Sequence, residues 1–153
     1  MVDINQTDST GATPLIYSAW HGSARLIGML LDRGADRTAV NNSGFNALHA
    51  SAMRGDPRLA VLLLEGGADV RTLEPVSGTS PLHMAAQHGH DEMIDVLARA
   101  GAIVDQQAVN GETPFLVYGG FSRRSWCRRR APRCESGPTP GLCRILTLLW
   151  KLR

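Results

Sequence analysis

A motif that returns about every 33 residues constrains this chain more than any other feature of its sequence. It reads GATPLIYSAWHG from Gly11, GFNALHASAMRG from Gly44, GTSPLHMAAQHG from Gly78 and GETPFLVYGGF from Gly111. A second motif repeats in phase with it, since RGAD, GGAD and AGAIVD follow the first three copies. A fixed period of this length is typical of solenoid proteins, in which each unit packs only against its neighbours.

Each unit of the repeat predicts a helix, a tight turn and a second helix. In the third unit, Ser80 supplies a hydroxyl at the helix N-cap, and Pro81 occupies the first helical position, where no backbone N–H is needed. Gly89 ends this helix, and a second amphipathic helix is predicted over residues 91–99, with acids in its first turn and Arg in its last. Because no unit covers its own apolar face, the units must stack.

The units resemble the ankyrin repeat, whose pattern reads roughly G-x-T-P-L-H-x-A-A-x-x-G-H and then I-V-x-x-L-L-x-x-G-A-D. Residues 78–105 follow this pattern almost throughout, whereas Ile16 replaces the usual His in the first unit and Asn46-Ala47 replaces Thr-Pro in the second. The resemblance implies an all-α fold, an ankyrin-repeat solenoid of helix-turn-helix units with short β-hairpin-like loops. The resemblance covers residues 3–121. Within this range, residues 3–11 look like the closing loop of a preceding repeat.

The sequence divides into three predicted regions. The first is an ankyrin array, the second an Arg- and Pro-rich disordered insertion, and the third a C-terminal helix, interpreted as the second helix of a fourth repeat that the insertion splits. The array spans 1–121, with repeats near 11–43, 44–77 and 78–110 and a partial repeat at 111–121. The insertion spans 122–140, and the C-terminal helix spans 141–153.

Charge separates the array from the rest of the chain, because residues 1–121 carry a net charge of −6 and residues 122–153 a net charge of +8. Three interpretations of the basic insertion stay open: a solvated loop with no specific role, which we favour, a misread coding segment, or a functional basic element such as a nuclear address or an anion-binding stretch. The third would make the chain a nuclear regulatory protein. A further alternative is that the chain is an incomplete fragment of a larger ankyrin protein.

Several classes of protein and site are not expected. The N-terminus lacks the apolar run of a signal peptide, and no apolar stretch approaches the ~20 residues that cross a bilayer, so we expect an intracellular protein, cytoplasmic or nuclear, without membrane contact. We expect no enzyme activity and no cofactor, because the nucleotide-binding and hydrolase motifs are missing. A nucleic-acid partner is not expected either, and the pattern makes no prediction for the oligomeric state.

Metal binding is also not expected, although histidines cluster in the third unit. The resemblance implies that His83 and His90 form hydrogen bonds to neighbouring loops, and His49 repeats the His83 position in the second unit. The cysteines form no C-x-x-C pair of the kind that zinc sites use. They are Cys127, Cys134 and Cys143.

The resemblance implies a protein-binding surface, since ankyrin arrays line a concave face with their hairpin tips and the ends of their first helices. Projected onto this chain, that face has eight candidate partner-binding residues: Trp20, His21, Val40, Phe45, Met53, Arg54, Gln87 and His88. The other hairpin positions are Ser9, Thr10, Ala12, Asn42, Ser43, Leu73 and Thr79. We expect Trp20, Phe45 and Met53 to face water, as binding anchors do. The alternative for Trp20 is that it packs onto a preceding repeat.

The second helices supply the predicted core. Their apolar residues recur at helical spacing, explain stability and say nothing about the partner. They are Leu26, Ile27, Leu30, Leu59, Leu63, Met93, Ile94 and Leu97. Together, these observations predict a non-catalytic adaptor or scaffold that binds another protein, of unknown identity, on the concave face.

Overall fold

The computed structural model describes residues 3–114 and residue 117. Within these residues the chain forms six α-helices and no strand, which confirms the all-α solenoid. The helices are α1 (Pro14–His21), α2 (Ala24–Asp32), α3 (Ala47–Arg54), α4 (Pro57–Glu65), α5 (Pro81–Gln87) and α6 (Asp91–Arg99). The predicted insertion at 122–140, the C-terminal helix at 141–153 and all three cysteines lie outside the described residues.

The helices stack in two layers. Helices α1, α3 and α5 pack side by side in one layer, and α2, α4 and α6 form the other. Each first helix also packs on the second helix of its own repeat. Contacts therefore connect equivalent helices of neighbouring repeats, which is the arrangement that the period of the sequence requires.

Side-chain caps start α1, α3 and α5, and the sequence predicts the hydroxyl caps of α1 and α5. The hydroxyls of Thr13 and Ser80 accept hydrogen bonds from backbone N–H groups at 3.4 Å, those of Ile16 and His83. In the second repeat the Asn46 side chain accepts from the His49 N–H at 3.0 Å. Because Asn is as good an N-cap as Thr, the departure from Thr-Pro keeps this helix start intact.

The predicted core is confirmed for most of its members and wrong for one. Ile27, Leu59, Leu63, Met93 and Leu97 are fully buried, and Leu30 and Ile94 are half-buried against them. Leu26 is 48% exposed instead. Within the described residues, α2 packs mainly on α1 and α4, and Leu26 lies on a side of α2 that remains exposed.

Short hydrogen-bonded turns join the repeats. The Asp8 N–H donates to the Ala12 carbonyl oxygen at 3.1 Å, whereas the Glu74 N–H donates to the Thr79 carbonyl oxygen at 2.8 Å. The turn at Glu74 is thus one residue longer, which accounts for the 34-residue spacing between Gly44 and Gly78. The longer Glu74 side chain fills the wider turn, where its carboxylate accepts hydrogen bonds from the backbone N–H groups of Val76 and Ser77.

The fourth repeat begins in the same way as the others. The Ala108 N–H donates to the Glu112 carbonyl oxygen at 2.8 Å, and the Val117 N–H donates to the Thr113 carbonyl oxygen at 3.1 Å, as in a helix. None of the helices in the described part of the chain is long and apolar enough to span a membrane.

Candidate protein-binding face

Six of the eight predicted partner-binding residues lie at equivalent places in three successive repeats. Trp20 and His21 end α1, Met53 and Arg54 end α3, Gln87 ends α5 and His88 is its C-cap. Because α1, α3 and α5 pack side by side, these pairs follow one another across a single layer. We call this surface, together with the exposed turn residue Val40, the candidate binding face.

Most of these side chains are available to solvent, but two are not free anchors. Trp20 is 49% exposed, and His21, Val40, Arg54, Gln87 and His88 are exposed as well. The expectation that Phe45 and Met53 face water is wrong, because both are half-buried and pack against the core. The ring of Phe45 meets the ring of buried His49 edge-on, with centroids 5.6 Å apart.

Arg54 holds two repeats together. Its guanidinium donates a hydrogen bond to the Trp20 carbonyl oxygen at 3.2 Å and lies over Gly22, where a Cβ atom would overlap it. In the next pair of repeats, His90 takes this role: its Nε2 is 3.1 Å from the Met53 carbonyl oxygen, and its ring lies over Gly55. The second repeat has Asp56 at the position of His90, so Arg54 supplies the missing donor.

Replacing Arg54 with Ala is therefore expected to destabilise the array by about 1 kcal/mol with no partner present, because a charged donor to a backbone carbonyl is lost. Urea denaturation followed by circular dichroism measures this change. Arg58→Ala is the matched control, since Arg58 is exposed on α4 and its side chain has no described hydrogen bond. An equal loss in both variants would contradict the role of Arg54 between repeats.

The buried histidines of the second and third repeats join α3 and α5 to the turns that follow, which confirms their predicted structural role. The Nε2 atoms of His49 and His83 are 3.2 Å from the carbonyl oxygens of Thr79 and Glu112. Since a carbonyl oxygen only accepts, Nε2 carries the proton, and Nδ1 is left to accept from the backbone N–H of the N-cap residue. Burial lowers the pKa of His49 to about 4 and also lowers the pKa of His83.

The histidine cluster of the third repeat is held by similar bonds. His88 Nδ1 is 2.9 Å from the Met84 carbonyl oxygen, and the His88 ring stacks on that of His90, with centroids 5.8 Å apart. Among residues 3–114 and 117, no group of three or more His, Cys, Asp or Glu side chains is placed to hold a metal ion.

Three exposed apolar residues extend the candidate binding face beyond the sequence prediction. Tyr17 is exposed one turn before His21 and stacks on its ring at a centroid distance of 5.8 Å. Val76 and Val109 are 80% and 77% exposed and lie in neighbouring turns. A hydrogen bond joins these two turns, because the Val109 N–H donates to the Ser77 carbonyl oxygen at 2.8 Å. Of these three residues, Tyr17 could have been identified from the sequence, because Tyr17, Trp20 and His21 share a helical spacing.

Comparison with known proteins places the chain in a family. A family profile described as ankyrin repeats (3 copies) matches residues 1–74 and 48–119. The chain therefore belongs to the ankyrin-repeat family, whose arrays serve in protein–protein interaction and are generally non-catalytic.

The similar proteins are longer than this chain. Protein PhlB of Serratia liquefaciens is 38% identical over 112 residues, which cover 73% of this chain and 48% of PhlB. A homologue of transient receptor potential cation channel subfamily A member 1 from Caenorhabditis elegans is 32% identical over 128 residues, 82% of this chain and 10% of that protein. The human channel subunit is 24% identical over 131 residues, 83% of this chain and 12% of that protein. The chain thus spans about half the length of the first relative.

Proposed function

We propose that this chain is a non-catalytic, intracellular adaptor or scaffold that binds a partner protein through the candidate binding face. One observation carries the proposal: a half-exposed Trp20, flanked by the stacked pair of Tyr17 and His21, sits on a layer of helices that its neighbours hold in place. Soluble proteins seldom leave such side chains grouped in water without a use.

The composition of the face favours a protein as the partner. A few side chains, often Trp, Tyr or Arg, supply most of the binding energy in protein interfaces, and the contacts around them exclude water. Trp20 and Tyr17 are the aromatic members here, and Arg54, Gln87 and His88 continue the surface with polar groups. The backbone beneath them is fixed by the Arg54 and His90 hydrogen bonds, so little ordering is needed when a partner binds.

Replacing Trp20 with Ala is expected to weaken the binding of a verified partner at least about 30-fold, because a hot-spot aromatic is lost. Isothermal titration calorimetry measures the affinity, and the melting temperature checks that the array stays folded. The double variant Trp20→Ala with Met53→Ala is expected to abolish binding. Its melting temperature must be measured as well, since Met53 packs against the core and its loss lowers stability.

Val61→Ala is the matched control, because Val61 is also an exposed apolar residue but lies on α4, in the other layer of helices. Its affinity is expected to stay within about threefold of the unaltered protein, as for a residue outside an interface. Unchanged affinity of Trp20→Ala for the partner would refute the proposed face.

A further inference from the structure

The turn that opens the fourth repeat is held by a different residue from the turns before it. Asp8, Asn41 and Glu74 each begin a turn, and their side chains accept hydrogen bonds from backbone N–H groups within it. The equivalent position in the fourth turn is Ala108, whose side chain has no polar atom. Asn110 takes over this role, since its Oδ1 accepts from the backbone N–H two residues later at 3.0 Å. The amide that holds this turn therefore lies directly before the glycine of the turn.

This placement brings an amide and an unhindered backbone nitrogen together in water. Asn110, Gly111 and Glu112 are all exposed, and no described atom lies within 4 Å of the place that a Cβ atom of Gly111 would take. The Glu112 N–H that donates to Oδ1 draws electrons from Asn110 Cγ, as donors to a developing oxyanion do. The Gly111 N–H donates to the Ala108 carbonyl oxygen at 2.9 Å, and this bond of the exposed turn must open before the nitrogen attacks.

We propose that Asn110 is a site of spontaneous covalent modification, at which the side chain deamidates through a cyclic imide. The Gly111 nitrogen forms a bond to Asn110 Cγ, the bond from Cγ to Nδ2 breaks, and ammonia leaves with the proton of the Gly111 nitrogen. Water then opens the imide at one of its two carbonyl carbons. Opening at Cγ leaves aspartate at position 110, and opening at the main-chain carbon leaves isoaspartate, whose backbone runs through Cγ.

The modification reverses the contact that closes the turn. In the unmodified chain Asn110 Nδ2 donates to Glu112 Oε2 at 2.7 Å, whereas two carboxylates only accept and repel each other. The Glu112 carbonyl oxygen accepts from the Ala108 N–H at 2.8 Å and lies 3.2 Å from His83 Nε2, so this turn joins the third repeat to the fourth. Deamidation therefore weakens that joint, and this consequence does not rest on the proposed function.

Peptide mapping by mass spectrometry of the full chain, incubated at neutral pH, measures the deamidation rate at each asparagine. Isoaspartyl methyltransferase labelling then detects the isoaspartate product. Asn42 is the matched control, because it is also exposed in a turn but is followed by Ser43. Asn110 is expected to react at least about tenfold faster, a difference of about 1.4 kcal/mol in the barrier. Equal rates at the two asparagines would overturn the proposed site.

The effect on the joint is measured with Asn110→Asp, which has the charge of the modified chain. This substitution is expected to lower the melting temperature by about 2 °C more in the natural chain than in Glu112→Gln, because only the natural chain then sets two carboxylates side by side. Comparing the two backgrounds removes any change in how well the new side chain holds the turn. The same shift in both backgrounds would show that deamidation leaves the joint intact and would overturn that part of the proposal.

Discussion

Replacing Gly44 with Ala is expected to destabilise the array by about 3 kcal/mol, the sum of a left-handed backbone that L-residues avoid and an overlap with a neighbouring ring. Gly44 has φ +81°, and a Cβ atom there would come within 2.9 Å of Pro75 Cγ and nearer still to Cδ. The Pro75 ring belongs to the next turn, so the overlap would push two repeats apart. Urea denaturation of the two proteins measures the difference.

Gly34→Ala is the matched control, because Gly34 has the same φ of +81° and open space around its α-carbon. It is expected to cost only about 1 kcal/mol, the backbone contribution alone. Adding Pro75→Ala to Gly44→Ala should recover the part of the lost stability that comes from the overlap with the Pro75 ring. A double-mutant cycle isolates this part. Equal losses at Gly34 and Gly44 would show that the two turns do not touch in solution.

Acidification from pH 7 to pH 5 is expected to lower the free energy of unfolding by about 2 kcal/mol through His49 alone. Its pKa is about 4 in the folded state because burial opposes the charged form, and its ordinary value is 6.5. The unfolded chain therefore binds the proton first, so the stability is complete above pH 6.5 and is lost as the pH falls towards 4. The lowered pKa of His83 adds a loss in the same direction.

In His49→Gln, the free energy of unfolding should fall by about 2 kcal/mol less between pH 7 and pH 5 than in the unaltered protein. This difference does not depend on how much the substitution destabilises the array at pH 7. Leu63→Ala is the control, since it destabilises the core but keeps His49 and should keep the slope. The carboxylates of Asp8, Asp36 and Glu74, whose pKa values hydrogen bonds lower, contribute at more acidic pH, so the measurement stops at pH 5. An unchanged slope in His49→Gln would contradict the assignment.

The fold could be read from the sequence because local and long-range signals agree at the same residues. Ser80 and Pro81 start a helix by their own chemistry, and the repeat period requires that helix to stack on its neighbours. The roles of His49 and His83 followed from the family pattern, and the structure places both side chains as that pattern implies.

The surface was less predictable, because exposure depends on neighbours that a single repeat does not contain. Leu26 has the sequence environment of a core residue, yet it is 48% exposed in the described part of the chain. Phe45 and Met53 occupy variable positions of the pattern, yet long apolar side chains there turn back onto the core. The role of Arg54 follows from Asp56, two residues away, through a contact between repeats that no local pattern contains.

The central claim is that a partner protein contacts the layer of first helices, and site-specific photocrosslinking tests it most directly. A photoreactive amino acid placed at Gln87, exposed at the end of α5, is compared with the same residue at Arg58, exposed on α4 in the other layer. The account predicts one partner adduct from position 87, which excess unlabelled protein competes away, and none from position 58. The same adduct from position 58 alone would contradict it.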